Sequence, residues 1–291
     1  MMAVPNTVDA LEQALIGTGY IPDRGLAVST HLALQMGRPL FLEGEPGVGK
    51  TEVAKVLAEI TGGELIRLQC YEGLDASHAL YEWDYARQML AIRLSEARGD
   101  GAGVEDIMSE EFVTERPLLK ALRSSSDAQQ AVLLIDELDR ADEEFEAYLL
   151  EFLSDFQITI PEVGTVRAST PPIVVITSNR TREIHDAVKR RCIYHWIDYP
   201  TIDREIAILK EKSPNTPNTL AKELAVAMDR LRRLDLFKPP GVAETIDWAK
   251  AIEVLGATDL TADVVDDTIG VVVKYEEDVA VVRAAGDTLS P

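Results

Sequence analysis

Residues 44–51, Gly-Glu-Pro-Gly-Val-Gly-Lys-Thr, carry the most specific chemistry in the chain. They match G-x-x-x-x-G-K-[ST] in full, the pattern of a loop that wraps phosphate. Glycines let successive N–H groups turn inward at phosphate oxygens. A helix opening directly after the loop adds the positive end of its dipole. Lys50 is then a point charge for β- and γ-phosphates, and the Thr51 hydroxyl a ligand for Mg²⁺. The set expected to hold the nucleotide is Gly44, Glu45, Pro46, Gly47, Val48, Gly49, Lys50 and Thr51. A glycine turn beside a solvated lysine is the competing reading. The flanks argue against it, because an apolar run (39–42) precedes the loop and an amphipathic stretch (51–60) follows it.

Three further groups supply what phosphate chemistry needs. Asp136 and Glu137 end the apolar run 131–135. An acid in that place holds Mg²⁺ directly or through water, and the next one can orient and deprotonate an attacking water. Asp142, Glu143, Glu144 and Glu146 read as the solvated face of the following helix, and Arg140 as a local partner for them or a contact to a neighbouring subunit. Asn179 ends the run 173–177, where its amide can bond the γ-phosphate or its water, although asparagine after a strand is also an ordinary turn residue. Lys189-Arg190-Arg191 offers cations that a neighbouring subunit's γ-phosphate could use, or a solvated surface cluster.

Elements that would position these groups follow from the hydrophobic pattern. Strands are expected at 39–42, 65–68, 131–135, 173–177 and 193–197. Residues 157–160 and 165–167 read as a hairpin around the four-residue loop 161–164. Tyr81, Tyr85, Met89 and Ile92 share a helical spacing that leads into the glycine-rich turn 99–103. Beyond Pro200 strand signals fade, and helices are expected at about 203–212, 219–233, 241–255 and 261–275. The expected fold is α/β, a parallel-sheet nucleotide-binding domain over 1–200 with a helical domain over 201–291.

Composition narrows the function. The chain has 291 residues, 29 basic and 50 acidic side chains, and a net charge of −21. Bulk attraction to nucleic acid or anionic lipid is therefore disfavoured. Two cysteines, Cys70 and Cys192, are too few for a disulfide framework or zinc site. Cys70 reads as a buried small hydrophobe, and Cys192, beside two arginines that can lower its pKa, as structural. The four histidines lack metal-ligand spacing. No apolar run reaches the roughly 18 residues of a membrane span, and the first fifteen residues do not read as a signal peptide. A cytoplasmic protein is expected.

In order, GEPGVGKT, VLLIDELDRAD, QITIPEVGTVRA, VVITSNRT and VKRRC resemble the AAA+ ATPases, and more narrowly the MoxR group. LQCYEGLDASHALYEWDY and the stretch through EFLSDFQITIPEVGTVR are similar to the CoxD-like branch, tied to maturation of molybdenum–copper carbon monoxide dehydrogenase. The resemblance covers residues 20–200 strongly. It implies an ATP- and Mg²⁺-dependent hydrolase with a helical lid. Its subunits would form a homo-oligomeric ring of six. The partner would be a protein with a von Willebrand factor A-type domain, and the client a metalloenzyme. Lys50, Thr51, Asp136 and Glu137 match the phosphate-loop, metal and catalytic positions, and Asn179 the polar sensor. Arg191 matches the arginine finger, with Arg190 as the alternative. Residues 77–118 match an insert in the second helix, and 157–167 the hairpin before the sensor strand. The insert's tyrosines and Trp83 fit a partner-contacting surface and an ordinary aromatic core equally well. One departure stands out. Relatives carry an arginine near the start of a lid helix, whereas this chain has Lys238-Pro-Pro-Gly-Val-Ala-Glu244. Lys238 substitutes there, or the contact is absent.

Other classes fit less well. A nucleic-acid motor conflicts with the net charge, and the hairpin offers one arginine, Arg167. A small-molecule kinase has no need of a cation supplied by a neighbour, and a non-hydrolysing scaffold has no need of Glu137. A GTPase would carry Asn-Lys-x-Asp, which this sequence lacks.

Overall fold

A computed structural model describes residues 5–99, 107–126, 129–161 and 163–285. The first half runs α1 (Val8–Gly17), α2 (Arg24–Met36), β1 (Leu40–Gly44), α3 (Lys50–Thr61), β2 (Leu65–Gln69) and α4 (Ala76–Ala79), then β3 (Tyr81–Trp83), α5 (Tyr85–Arg98), β4 (Val113–Glu115) and α6 (Pro117–Ser124). There follow β5 (Val132–Asp136), α7 (Glu143–Asp155), β6 (Gln157–Ile160), β7 (Gly164–Arg167), β8 (Ile173–Ser178), α8 (Asp186–Lys189) and β9 (Ile193–Ile197). The last stretch is helical: α9 (Ile202–Lys212), α10 (Asn218–Leu231), α11 (Val242–Leu255), α12 (Ala262–Val272) and α13 (Glu276–Ala285).

The chain forms two compact units, one of Met1–Leu11, Arg24–Glu43 and Val53–His195, the other of Glu12–Asp23, Gly44–Glu52 and Trp196–Pro291. In the first, a five-stranded sheet has the order β2-β5-β8-β1-β9. β2 pairs with β5, β5 with β8 and β8 with β1, all parallel. β5 and β1 are buried at every position, as expected of strands covered on both faces. β2 lies at the edge and alternates, burying Ile66 and Leu68 while Arg67 and Gln69 face out. Parallel pairing puts all C-terminal ends on one side, where α/β sheets bind ligands. Register aligns Gln69 with Asp136, Ile135 with Ile176, and Glu43 with Ser178.

Four sequence expectations change here. Tyr81 is on β3, which pairs antiparallel with β4, and not on the following helix. That helix starts one turn later, because the Asp84 carboxylate accepts from the Arg87 N–H at 2.9 Å and caps it. Gly99 ends the helix in the left-handed conformation, and the rest of the expected turn, 100–103, lies outside the described residues. The two readings of the insert divide between its residues: Tyr81 and Trp83 pack against the core, whereas Tyr85 and Met89 are exposed. In the 157–167 hairpin Gly164 pairs with Ile160, so the loop has three residues. Glu146 is buried rather than solvated: it pairs with Arg182 at 2.5 Å and accepts from the His185 N–H at 2.8 Å. Asp142, Glu143 and Glu144 are exposed as expected.

The second unit's core is built by α9 to α13 around fully buried Trp248, whose indole N–H donates to Thr268 at 2.7 Å. The helix expected over 261–275 stops at Val272, where Val273 turns extended, and α13 follows. Its acidic first turn, Glu276-Glu277-Asp278, is the start signal that the pattern contained. Asp278 is buried and accepts the N–H groups of Phe237 and Lys238 at 2.7 and 3.2 Å. A buried ion pair joins Arg232 to Glu205 through two bonds of 2.6 and 2.7 Å. Thr245 donates to Glu205 at 2.5 Å, and Arg232 also reaches the Pro240 carbonyl and stacks on Tyr199. Among the described residues no helix is long and apolar enough to cross a membrane.

Removing one member of a buried pair strands the other charge. Arg232→Ala is expected to cost about 3–5 kcal/mol, and Glu205→Gln less, because its amide can still bond. Urea unfolding of the two variants checks the order.

Candidate functional site at the carboxyl edge of the sheet

At the ends of β5 and β8 one hydroxyl joins the two acids. Thr177 donates to Asp136 Oδ1 at 2.6 Å and accepts from the Glu137 N–H at 2.9 Å. Asp136 is buried, and its other oxygen takes the Arg67 guanidinium at 2.6 and 3.1 Å. Glu137 adopts φ 57°, ψ 51°, a left-handed conformation that non-glycine residues rarely hold without support. The turn swings its carboxylate off the strand direction. There it meets Arg140 Nε at 2.9 Å, Gln69 Nε2 at 3.1 Å and Asn179 Nδ2 at 3.4 Å. Asn179 is fixed in turn, since buried Asp139 accepts its N–H at 3.1 Å and both the N–H and hydroxyl of Thr181 at 2.9 and 2.7 Å. Arg180, the next residue, is also left-handed at φ 58°.

The structure therefore brings Asp136, Glu137 and Asn179 together, and adds Arg67, Gln69, Arg140, Asp139 and Thr177, which the sequence reading did not assign to the site. Arg140 bonds Glu137 itself and not the later acids. The available signal for Gln69 and Arg67 was the outward-facing alternation on a strand that ends beside Asp136.

The phosphate loop belongs to the second unit. Lys50 is buried, and its ammonium donates to the carbonyls of Gly44 and Glu45 at 2.6 and 2.8 Å. Gly44 sits at φ +156°, where a Cβ would fall 2.3 Å from the Ile197 carbonyl oxygen. The Gly47 carbonyl accepts from the N–H groups of Val242 and Ala243 at 3.0 and 3.3 Å, docking the loop on the start of α11. A Cβ on Gly241 would lie 2.6 Å from the Pro46 oxygen. These contacts require glycine at both places.

Beside the loop is a cavity of about 360 Å³. Ile21, Val48, Ile208, Val242 and Ile246 give it apolar walls, and Arg204, Lys212 and Lys250 are the cations lining it. Tyr20 also lines it; its buried hydroxyl has no hydrogen-bond partner among the described residues, and burial pushes its phenol well above the usual range. An apolar slot next to a phosphate-wrapping loop suits a purine nucleotide. Lys238 is not among the lining residues; its N–H is bound to Asp278. The stretch expected to carry a nucleotide-sensing cation thus meets the loop through its backbone at Val242 and Ala243, and the three cations lining the cavity each lie beside a carboxylate, Arg204 by Asp23 at 3.1 Å, Lys212 by Glu52 and Lys250 by Asp247, both at 3.9 Å.

Among the described residues no group of three or more His, Cys, Asp or Glu side chains forms a metal site. Such a site is not needed for Mg²⁺, which commonly takes one or two protein oxygens plus phosphate and water. Asp136 and the Thr51 hydroxyl are of the right type for it.

Arg190 and Arg191 follow α8 and differ sharply. Arg191 bonds Ser154 Oγ at 2.6 Å and the Ala187 carbonyl at 2.8 Å. The Arg190 side chain is 81% exposed, with Asp186 3.8 Å away. The thiol of Cys192 is not activated by these arginines: burial pushes it up to about 12, against the opposing pull of Arg38 and Arg191. Burial likewise pushes Cys70 up to about 12, helped by Asp136.

A family profile described as AAA domain (dynein-related subfamily) matches residues 39–192. Midasin of Giardia intestinalis is 46% identical over 48 residues, 16% of this chain and 1% of midasin. The chain thus spans about 1% of midasin's length. An uncharacterised protein of Staphylococcus saprophyticus is 23% identical over 229 residues, covering 76% of this chain and 78% of that protein. An uncharacterised protein of Staphylococcus aureus (strain USA300) is 25% identical over 187 residues, 61% of this chain and 62% of that one. Among solved structures, a lysine-to-arginine point mutant of Thermotoga maritima RuvB superposes with a TM-score of 0.51 at 17% identity, covering 92% of this chain and 72% of that one. That likeness concerns the fold.

Two outcomes follow from the geometry. Thr177→Val removes one donor from Asp136 and the side-chain acceptor of the Glu137 N–H, at a cost of about 1–3 kcal/mol, readable as a lower urea midpoint. With both thiols titrating near 12, thiolate at pH 8 is roughly one part in ten thousand. Native protein should resist a thiol-specific reagent, and both cysteines should react promptly in denaturant.

Proposed function

This chain belongs to the AAA domains of the dynein-related subfamily, and on that premise we propose that it is a ring-forming, Mg²⁺-dependent ATPase that remodels a protein partner. The observation that carries the proposal is the hold on Glu137. Its carboxylate is held by Arg140, by Gln69 at the end of one strand and by Asn179 just past another, at the carboxyl edge of the sheet.

On this reading residues 1–200 bind nucleotide and 201–291 act as the lid. The loop residues Gly44 to Thr51 cradle the phosphates, and Lys50 exchanges its two carbonyl bonds for phosphate oxygens. Thr51 and Asp136 would hold Mg²⁺, which when bound neutralises charge on the β- and γ-phosphates. Glu137 accepts the proton of the attacking water, and Asn179 orients that water. The cation completing the site comes from a neighbouring subunit. Family position supports Arg191 in that role; exposure supports Arg190, because Arg191 must first leave Ser154 and Ala187. The narrower branch, MoxR-type and CoxD-like, rests on residue wording within 68–167. It makes the client a metalloenzyme such as a molybdenum–copper carbon monoxide dehydrogenase, and the partner a protein with a von Willebrand factor A-type domain. A net charge of −21 supports a protein over a nucleic acid as the object of work.

Glu137→Gln keeps the size and the bonding geometry but cannot take a proton. Phosphate release should fall about 10²–10⁴-fold, with affinity for a fluorescent ATP analogue close to that of the parent. Undiminished release would rule out Glu137 as the base.

A further inference from the structure

The Arg190–Arg191 pair sits on a short lever that the fold has to hold still. α8 is one turn long, and the N–H groups of Arg190, Arg191 and Cys192 close it onto the carbonyls of Asp186, Val188 and Lys189 at 2.9, 3.0 and 3.1 Å. Arg38, more than 150 residues away in sequence, holds the next two carbonyls, those just beyond the helix. Its Nε donates to the Arg191 carbonyl at 3.0 Å and its Nη2 to the Arg190 carbonyl. Gly37 at φ +60° turns the chain out of α2 and delivers Arg38 to the entrance of β1. One residue later the Pro39 carbonyl accepts from the Ile193 N–H at 2.8 Å, so the same segment is pinned on both sides of Cys192.

We propose that Arg38 is a positioning residue for the cation that completes a neighbouring subunit's site. It rests on the reading that Arg190 or Arg191 acts on that neighbour. A guanidinium is planar and presents its donors in a fixed fork. Bound to two successive carbonyls, it fixes both peptide planes and hence the direction in which each Cα–Cβ bond leaves the backbone. The two arginines then diverge: Arg191 folds back onto Ser154 and Ala187, and Arg190 projects into solvent. Without Arg38 the two carbonyls lose their fork, and the lever is held from one side only. Lysine can satisfy one carbonyl at a time and so holds the segment incompletely. Arg38 is not among the loop, acid-pair or cavity-lining residues assigned to nucleotide and metal, so its effect should fall on the subunit next door.

That direction makes the test specific. Full-length Arg38→Ala, Arg38→Lys and the double variant Arg190→Ala/Arg191→Ala are assayed for ATP turnover, alone and after nucleotide-free mixing with excess Glu137→Gln. Fluorescent ATP analogue binding and thermal unfolding are measured on each. A misplaced reacting group costs about 10²-fold, and Arg38→Ala should lose turnover on that order while analogue affinity stays within about two-fold. Arg38→Lys should fall in between. Glu137→Gln subunits, inactive themselves but with an intact arginine pair, should restore turnover to Arg38→Ala subunits and equally to the double variant. Parental turnover in Arg38→Ala would overturn the proposal. So would a loss that Glu137→Gln fails to restore in Arg38→Ala and Arg38→Lys while restoring it in the double variant, because Arg38 would then act within its own subunit. Parental turnover in the double variant would remove the reading underneath, and the proposal with it.

Discussion

Between β5 and β8 a single hydroxyl serves both acids, and it can do so only because the two strands run parallel in one register. Thr177 lies next to Ile176, the partner of Ile135, which brings its Oγ1 level with Asp136 and the following peptide. It donates to the first and accepts from the second. Glu137 can then hold a left-handed backbone that would otherwise be unfavourable, and its carboxylate leaves the line of the strand to meet Gln69 and Asn179. A slip of one residue between β5 and β8 would turn Thr177 to the other face and dissolve the arrangement.

The parts of the site that depend on one stretch of chain were legible in the sequence. The phosphate loop, the acid pair after an apolar strand and the asparagine after another each carry their own local signal. Thr177 carries none, and Gln69 and Arg67 only the alternation of their own strand, because their roles arise from register between strands that are far apart in sequence. The helix misread at Tyr81 shows a related limit. The spacing of Tyr81, Tyr85, Met89 and Ile92 suits a helix, yet Asp84 caps it after the first of them. The acidic neighbours of Glu146 suggest a solvated face, yet it is buried and paired with Arg182, 36 positions on. For the stretch 238–244, which lacks an arginine, the sequence leaves Lys238 as a substitute or the contact absent. The cavity is instead lined by Arg204, Lys212 and Lys250, spread over two helices that no single motif covers.

On the proposed reading each subunit holds base, sensor and phosphate loop, while the arginine pair that follows α8 is bonded by its own fold only in part. Arg191 is bonded locally, and Arg190 is solvated. A cation left in water contributes little where it stands; brought to a γ-phosphate with water excluded, it contributes far more. This asymmetry is the physical reason to expect that the site is completed by a second copy of the chain.

The most direct test of that expectation is the solution mass of Glu137→Gln by light scattering, with and without Mg·ATP. Trapped in the ATP-bound state, subunits that share sites should assemble to a mass near six copies, and disassemble when nucleotide is removed. A variant that binds ATP yet keeps the mass of one subunit would contradict the account.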